Sequence, residues 1–382
     1  MIHLDYLANV PLNADANALL YETYQNPNTL NSAFNEMFMQ DSKALAQLFY
    51  KTHTQSFDYS SGDFLALFSV LYAHNYHICL APSLHQQSFY AGELFSTLFP
   101  KGISSLSITK EGIIESVDSI IAANAPKSAD TPKNLAKTMD NPTKLAFFLP
   151  IINQDILSIN PIKELVAHIL NAYPHALIFI DISLFLSAFD DVTLLKDFSH
   201  AQVLFLCNAE YIGLMRPSGF IVSDFNALLE THKQALQAFF DTRLLRPRLF
   251  KAAHKALQDR FATQNQPDSK AEFFDALKKR LKDNISLFVP LEITAPNALA
   301  LRFKGIKARL LVQALSVEGY ATINGQDCLF GNAKPSFVLR AMGYDDASTR
   351  ELISLSYTHL DSIESTAHTL SNAYEQLRQF HI

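Results

Sequence analysis

Ala176-Leu-Ile-Phe-Ile-Asp181 and Val203-Leu-Phe-Leu-Cys-Asn-Ala-Glu210 are two apolar runs that each end in a carboxylate. Short runs of this kind, rich in β-branched and aromatic residues, are typical of strands buried inside a sheet. The two runs therefore predict two core strands, with Asp181 at the end of the first and Glu210 just after the second.

Predicted strands alternate with predicted helices over residues 60–250, and this order favours a mainly parallel sheet covered on both faces. The strands are His77–Ala81, Leu145–Pro150, Ala176–Asp181, Val203–Leu206 and Gly219–Val222. Helical periodicity marks Phe64–Ala73, Gln86–Leu98 and Pro161–Ala172. The polar segment Pro126–Asn141, punctuated by proline, is predicted to be a surface insertion.

The chain turns strongly helical after Asp224, through Phe225–Phe240 and Leu245–Phe261, and this stretch is predicted to connect two domains. A second α/β pattern follows, with strands at Ala298–Phe303 and Leu352–Ser356 and helices at Ile306–Glu318 and Ser362–Phe380. We predict a large α/β domain at 13–245, and a small domain made of 1–12 and 246–382 with the connecting helix.

Composition excludes several classes of protein. The 382 residues are 48% hydrophobic and 18% charged, which supports a packed core, and the net charge of −6 gives no reason to expect nucleic acid or an anionic membrane as a partner. Met1–Tyr6 has no basic or apolar leader pattern, so a cytoplasmic protein is expected. Cys79, Cys207 and Cys328 lack metal-ligand spacing, which predicts reduced thiols and no metal site. No glycine lies between Gly112 and Gly213, so no Gly-rich phosphate loop is predicted there.

The two ends of the chain carry a family pattern. Ile2-His-Leu-Asp-Tyr-Leu-Ala-Asn-Val-Pro-Leu12 resembles the opening I-Y-L-D-Y-x-A-T-T-P-L of cysteine desulfurases, which belong to the class V aminotransferase family of fold-type I enzymes dependent on pyridoxal phosphate. Cys328 stands seven residues before Pro335-Ser-Phe-Val-Leu-Arg-Ala-Met-Gly343, as the family's catalytic Cys stands before P-S-x-V-L-x-A-x-G. Ala295-Pro-Asn297, Asn160-Pro-Ile162 and Leu352-Ile-Ser-Leu355 also fall in the family's order.

This resemblance covers nearly the whole chain, with specific motifs at the ends and weak ones in the middle. It implies the aspartate-aminotransferase fold, with a large, mostly parallel sheet domain and a small C-terminal α/β domain. It also implies pyridoxal phosphate as cofactor, held by His85 on the pyridine ring, Asp181 on the ring nitrogen, and Asn153 and Gln154 near the ring hydroxyl. In the family the cofactor activates cysteine, and the loop cysteine, here Cys328, collects the sulfur.

The chain departs from this pattern where the cofactor would be held. The phosphate-binding G-A-T is Gly62-Asp63-Phe64, which replaces a hydroxyl by a phenyl ring and adds a carboxylate that repels a dianion. The S-x-H-K segment is Cys207-Asn-Ala-Glu210, which loses two phosphate donors and the Schiff-base lysine. The family's substrate-binding arginine falls on Leu352, and Arg350, two residues earlier, is predicted to replace it from the same strand face. A Gly-rich dimer-contact motif is missing from residues 225–245.

Glu210 is therefore interpreted either as a loss that followed relaxed selection on catalysis or as an acid reused in an altered pocket. The first interpretation predicts a divergent, catalytically degenerate desulfurase-like protein that binds a protein partner or carries sulfur on Cys328. The alternative is an active enzyme whose pyridoxal phosphate is noncovalent or forms its imine with another lysine. The family also implies a homodimer.

Overall fold

A seven-stranded sheet forms the centre of the larger part of the molecule. The computed structural model describes residues 1–20, 32–115, 117, 144–243, 246–263, 267–325 and 334–379. The strands of this sheet, in chain order, are β2 (His53–Ser56), β3 (Tyr76–Leu80), β4 (Ile103–Ser105), β5 (Lys144–Pro150), β6 (Leu177–Asp181), β7 (Val203–Asn208) and β8 (Gly219–Ser223).

The spatial order of the strands is β2-β8-β7-β6-β5-β3-β4. The pairs from β4 to β7 are parallel, whereas β8 runs antiparallel to both β7 and β2. The sheet is thus mainly parallel, as the alternating pattern predicted. Asp181 pairs with Pro150 on one side and Leu206 on the other, at the carboxyl ends of the parallel strands.

A smaller sheet lies in the C-terminal part. Strands β9 (Ile285–Leu287), β10 (Ala298–Phe303) and β12 (Leu352–Ser356) are antiparallel in the order β12-β10-β9. The N-terminal strand β1 (Ile2–His3) pairs in parallel with β11 (Tyr320–Ala321). The first residues of the chain therefore pack with its last third.

Helices cover both sheets. They are α1 (Ala14–Leu20), α2 (Ser32–Leu48), α3 (Ser61–Ala73), α4 (Gln86–Leu98), α5 (Ile162–Ala172), α6 (Ser183–Ala188), α7 (Glu230–Phe240), α8 (Pro247–Ala262), α9 (Lys270–Leu281), α10 (Ala308–Val317), α11 (Phe337–Ala341), α12 (Asp346–Thr349) and α13 (Ile363–Gln379). In the described part of the chain, none of these helices is long and apolar enough to cross a membrane.

Helix α8 is the connecting helix of the sequence analysis, and its apolar face belongs to the core of the large sheet. Leu249, Phe250 and Leu257 are buried in the same cluster as Leu177 and Phe179 of β6. The exact limits of the two domains stay a prediction. The predicted insertion Pro126–Asn141 lies outside the described residues.

Among the residues that the structure describes, Lys51 is the one lysine that is buried. Its Nζ donates to the carbonyl oxygens of Phe198 at 2.9 Å and His200 at 3.1 Å, and it pairs with Asp224 at 2.9 Å. These acceptors lie just before β7 and just after β8. Because β8 runs antiparallel to β7, these acceptors meet at one end of the strands, and Asp181 lies at the opposite end.

Candidate functional site

Asp181 lies at the carboxyl end of β6 and is buried, with both carboxylate oxygens hydrogen-bonded. Oδ1 accepts from the backbone N–H of Ser183 at 2.9 Å, and Oδ2 accepts from the hydroxyl of Tyr59 in a short hydrogen bond. Burial raises the pKa of Asp181, and the hydrogen bonds from Ser183 and Tyr59 oppose that effect. The carboxylate that would face a ring nitrogen thus already has a donor from the chain itself.

The Tyr59 ring is enclosed by other aromatic rings. Phe64 lies 5.0 Å away at an interplanar angle of 89°, and His85 lies 5.4 Å away at 83°. The backbone of Tyr59 has a φ of +57°, in the left-handed region that bulky residues rarely adopt. Burial first, and then the negative charge of Asp181, raise the pKa of the Tyr59 hydroxyl, so it remains a donor.

His85 is the N-cap residue of helix α4, and its place on a pyridine ring stays a prediction. Its Nδ1 accepts from the backbone N–H of Gln87 at 3.2 Å as an N-cap, and its ring meets Tyr211 nearly perpendicularly, at 6.0 Å and 88°. Burial, together with the nearby charge of Arg216, lowers the pKa of His85 to about 3. The imidazole is therefore neutral at physiological pH.

The depressed pKa of His85 predicts loss of stability in acid. The unfolded chain protonates this group near its ordinary pKa of about 6.5, so the unfolded state is favoured as pH falls below that value, by about 2 kcal/mol at pH 5. We expect His85→Asn, which keeps a capping acceptor but cannot protonate, to flatten the dependence of unfolding free energy on pH between 6.5 and 5. Urea denaturation at several pH values measures this, and parallel curves for variant and wild type would contradict it.

Asn153 and Gln154 follow β5, and their side chains are occupied within the protein. The Asn153 amide donates to the carbonyl oxygen of Gly112 at 2.7 Å and to Ser158 Oγ at 2.8 Å. Gln154 is a hydrogen-bond partner of the Tyr211 hydroxyl. The Asn153 side chain thus connects the segments at Gly112 and Ser158. Gln154 contacts Tyr211, whose ring packs against His85.

Asp63 lies in the first turn of α3, where the resemblance places the cofactor phosphate. It forms a short ion pair with Arg243, and the Arg243 guanidinium also lies over the Phe239 ring, at 4.6 Å from its centroid. Ser60 caps the helix by accepting from the Asp63 backbone N–H at 3.1 Å. A carboxylate of the chain therefore takes the favourable position for an anion at a helix N-terminus.

Glu210 follows β7 and forms a short ion pair with Arg216. Burial raises the pKa of Glu210, and Arg216 opposes that effect. The pair lines a cleft of about 340 Å³. Its other lining residues come from the N-terminal segment and from the turn after β7: Ala8, Asn9, Val10, Leu12, Tyr211, Leu214 and Met215.

The turn after Glu210 is held against the N-terminal segment. Gly213 has a φ of +82°, and its carbonyl oxygen accepts from the Asn13 backbone N–H at 2.9 Å. A Cβ at this position would lie 2.7 Å from the Pro11 carbonyl oxygen, so only glycine fits without a shift. The cleft is therefore built by close packing between two distant segments.

Arg350 is not on a strand face, so that part of the prediction is wrong. It follows α12, two residues before β12 begins, and pairs with Asp346 at 3.1 Å. It lines a second, smaller cleft with Lys307, Lys334 and Asn324, among others. This cleft shares no described residue with the Asp181 cluster, which consists of Tyr59, His85, Gln154, Asp181 and Tyr211. Its substrate role stays a prediction. Cys328 lies outside the described residues.

The structure thus brings His85, Asp181 and Gln154 together, but through two tyrosines that the sequence analysis did not select. Tyr59 joins Asp181 to His85, and Tyr211 joins His85 to Gln154. Tyr59 and Asp181 are 122 residues apart in the chain, and no motif connects them. Arg216 and Arg243 were also missed. They pair with Glu210 and Asp63, the two carboxylates that depart from the family pattern.

Comparison with solved structures identifies the fold as that of the pyridoxal-phosphate-dependent transferases. A NifS-like protein from Rickettsia africae has a TM-score of 0.71 over 99% of both chains, with 13% identity. Serine palmitoyltransferase from Sphingomonas wittichii has a TM-score of 0.60 and 15% identity, covering 99% of this chain and 88% of that one. A structure of SPT with a PLP internal aldimine has a TM-score of 0.61 and 16% identity, covering 97% of this chain and 85% of that one. No family model matches the chain, and no curated protein matches its sequence.

The residues present do not fit pyridoxal phosphate. The Asp181 carboxylate that would hold the ring nitrogen already accepts from Tyr59 and Ser183. The resemblance places the phosphate beside Asp63 and the imine amine at Glu210, and in the structure these two carboxylates pair with Arg243 and Arg216. At each of these three positions the chain thus has a carboxylate that already has a partner within the protein.

Proposed function

We propose that this chain is a desulfurase-like protein that has lost pyridoxal-phosphate catalysis and acts by binding a protein partner or by carrying sulfur on Cys328. The observation that carries the proposal is the Glu210–Arg216 ion pair, which stands where the resemblance expects the imine-forming lysine. A carboxylate cannot form an imine, so Glu210 cannot take over the role of the lysine.

The alternative, in which another lysine forms the imine, gains no support from the buried lysine of the described chain. Lys51 is held by two carbonyl oxygens and Asp224 at the opposite edge of the sheet. Titration of the purified protein with pyridoxal phosphate, followed by absorbance before and after borohydride, tests the proposal. We expect no saturable absorption band. A band near the visible edge that shifts on reduction would instead favour an active enzyme.

Glu210→Lys alone is expected not to restore tight cofactor binding. The new amine would still face a phosphate position occupied by Asp63 and a ring position occupied by Tyr59. Absorbance titration of the variant measures this, with Lys163→Arg at an exposed ion pair as a control for unspecific imines. Saturable imine formation at micromolar cofactor would show that the cofactor site is better preserved than we propose.

The sulfur-carrier role predicts that Cys328 is the most reactive of the three thiols. Cys79 and Cys207 are fully buried in β3 and β7, and burial raises the pKa of both. Thiolate attack needs access and ionisation, and both are denied to these two. Limited alkylation of the native protein with mass-spectrometric mapping measures the order. Labelling of Cys79 or Cys207 before Cys328 would remove the main support for sulfur carriage.

The cleft at Glu210 is the surface we propose for binding. Its volume of about 340 Å³ lies at the lower end of ligand-pocket sizes. Two of its apolar lining residues, Leu12 and Met215, are exposed at 62% and 42%.

The homodimer of the family is part of the same proposal. Light scattering of Leu12→Ser and the wild type compares their masses, and equal monomer masses would exclude the dimer.

A further inference from the structure

We propose that the Tyr59 side chain acts as a built-in ligand of Asp181. The space that its ring occupies is then an aromatic pocket, which takes a free monocyclic phenol once the Tyr59 side chain is removed. This inference rests on the proposed function, because it treats the site as filled by the chain. It adds what the pocket recognises: a six-membered aromatic ring with a hydrogen-bond donor on its edge.

The chemistry at Asp181 carries the first step. A buried carboxylate is costly unless donors satisfy it, and here Asp181 is satisfied by the backbone and side chain of Ser183 and by the Tyr59 hydroxyl, which donates to Oδ2. A protonated ring nitrogen and a phenol hydroxyl both present one donor at the edge of an aromatic ring. The phenol therefore satisfies the same oxygen without a cofactor.

The enclosure of the ring carries the second step. Phe57, Phe64 and His85 meet the Tyr59 ring at interplanar angles of 84°, 89° and 83°, with centroids at 5.7, 5.0 and 5.4 Å. Edge-to-face contacts on this scale are favourable for aromatic rings. All three neighbours are buried, so a vacated ring position would be an enclosed, mainly aromatic pocket with the Asp181 carboxylate and the Ser183 hydroxyl at its end.

The backbone of Tyr59 carries the third step. A tyrosine at a φ of +57° holds a conformation that glycine adopts without cost. Strain of this kind persists only where the surroundings impose it. The Tyr59 side chain makes its contact with Asp181 from this backbone conformation.

The test is a thermal-shift and calorimetric titration of Tyr59→Gly with p-cresol, the free equivalent of the tyrosine side chain. Glycine empties the pocket and suits the backbone. We expect p-cresol to raise the melting temperature of Tyr59→Gly in a concentration-dependent manner and to leave the wild type unchanged. Toluene, which has the same shape without the hydroxyl, should bind roughly tenfold or more weakly, because it gives Asp181 no donor.

Equal effects of p-cresol and toluene, or no effect on a folded Tyr59→Gly, would overturn the inference. If Tyr59→Gly does not fold, Tyr59→Phe keeps the ring and removes only the hydroxyl. It should be destabilised in the wild-type background and much less so combined with Asp181→Asn, and equal losses in both backgrounds would overturn the inference. Cofactor uptake by the wild type would refute the proposed function, whereas the cresol result is read on the variant alone.

Discussion

Asp63→Ala is expected to lower the free energy of unfolding by about 3 kcal/mol, and inorganic phosphate is expected to recover part of that loss. The substitution removes one member of a pair whose side chains are exposed by only 6% and 19%, and it leaves the Arg243 guanidinium without its carboxylate at the start of α3. Arg243 and the helix N-terminus would then favour an anion in the place of the Asp63 carboxylate, with Asp58 as the remaining carboxylate that acts on Arg243.

Urea denaturation of Asp63→Ala with and without phosphate measures both effects. Asp197→Ala is the matched control, because the Lys163–Asp197 pair is exposed at 62% and 45% and should contribute less than about 1 kcal/mol. Phosphate should not stabilise the control or the wild type. A phosphate effect of the same size in all three proteins would contradict the view that Asp63 takes the place of an anion.

Lys51→Met is expected to cost about 3 kcal/mol of stability without changing any binding property of the Asp181 cluster. Methionine has similar length, but it leaves the buried Phe198 carbonyl oxygen, and the part-buried His200 carbonyl oxygen and Asp224 carboxylate, without this donor. Chemical denaturation of this variant beside Lys163→Met, at the exposed pair, measures the difference. A loss as small as that of the control would show that the Lys51 contacts do not hold the sheet edge.

The strands and helices that carry strong apolar patterns could be predicted from the sequence. Gln86–Leu98, Ala298–Phe303 and Leu352–Ser356 coincide with α4, β10 and β12. The elements without such a pattern were missed. Strand β2 reads His-Thr-Gln-Ser and exists through its antiparallel pairing with β8, which no local signal reveals.

The composition of the site could be predicted in part. Asp181 and Glu210 follow from the apolar runs that precede them, and their positions at the sheet edge follow from the parallel order of the strands. Tyr59 could not be predicted, because its role depends on β2 bringing it beside a residue distant in the chain. The strand Leu352–Ser356 was predicted correctly, but Arg350 ends α12, which Asp345 begins by accepting from the Ser348 backbone N–H at 2.7 Å, and so it does not share a strand face. The spacing of that cap was a signal available in the sequence.

The central claim is that the chain fills its own cofactor site, and a crystal structure of the protein grown with millimolar pyridoxal phosphate tests it most directly. We predict electron density for the Tyr59 hydroxyl on Asp181 and for Arg243 on Asp63, with no pyridine ring beside His85. A pyridine ring bound between His85 and Asp181, with Tyr59 displaced from the carboxylate, would contradict the account.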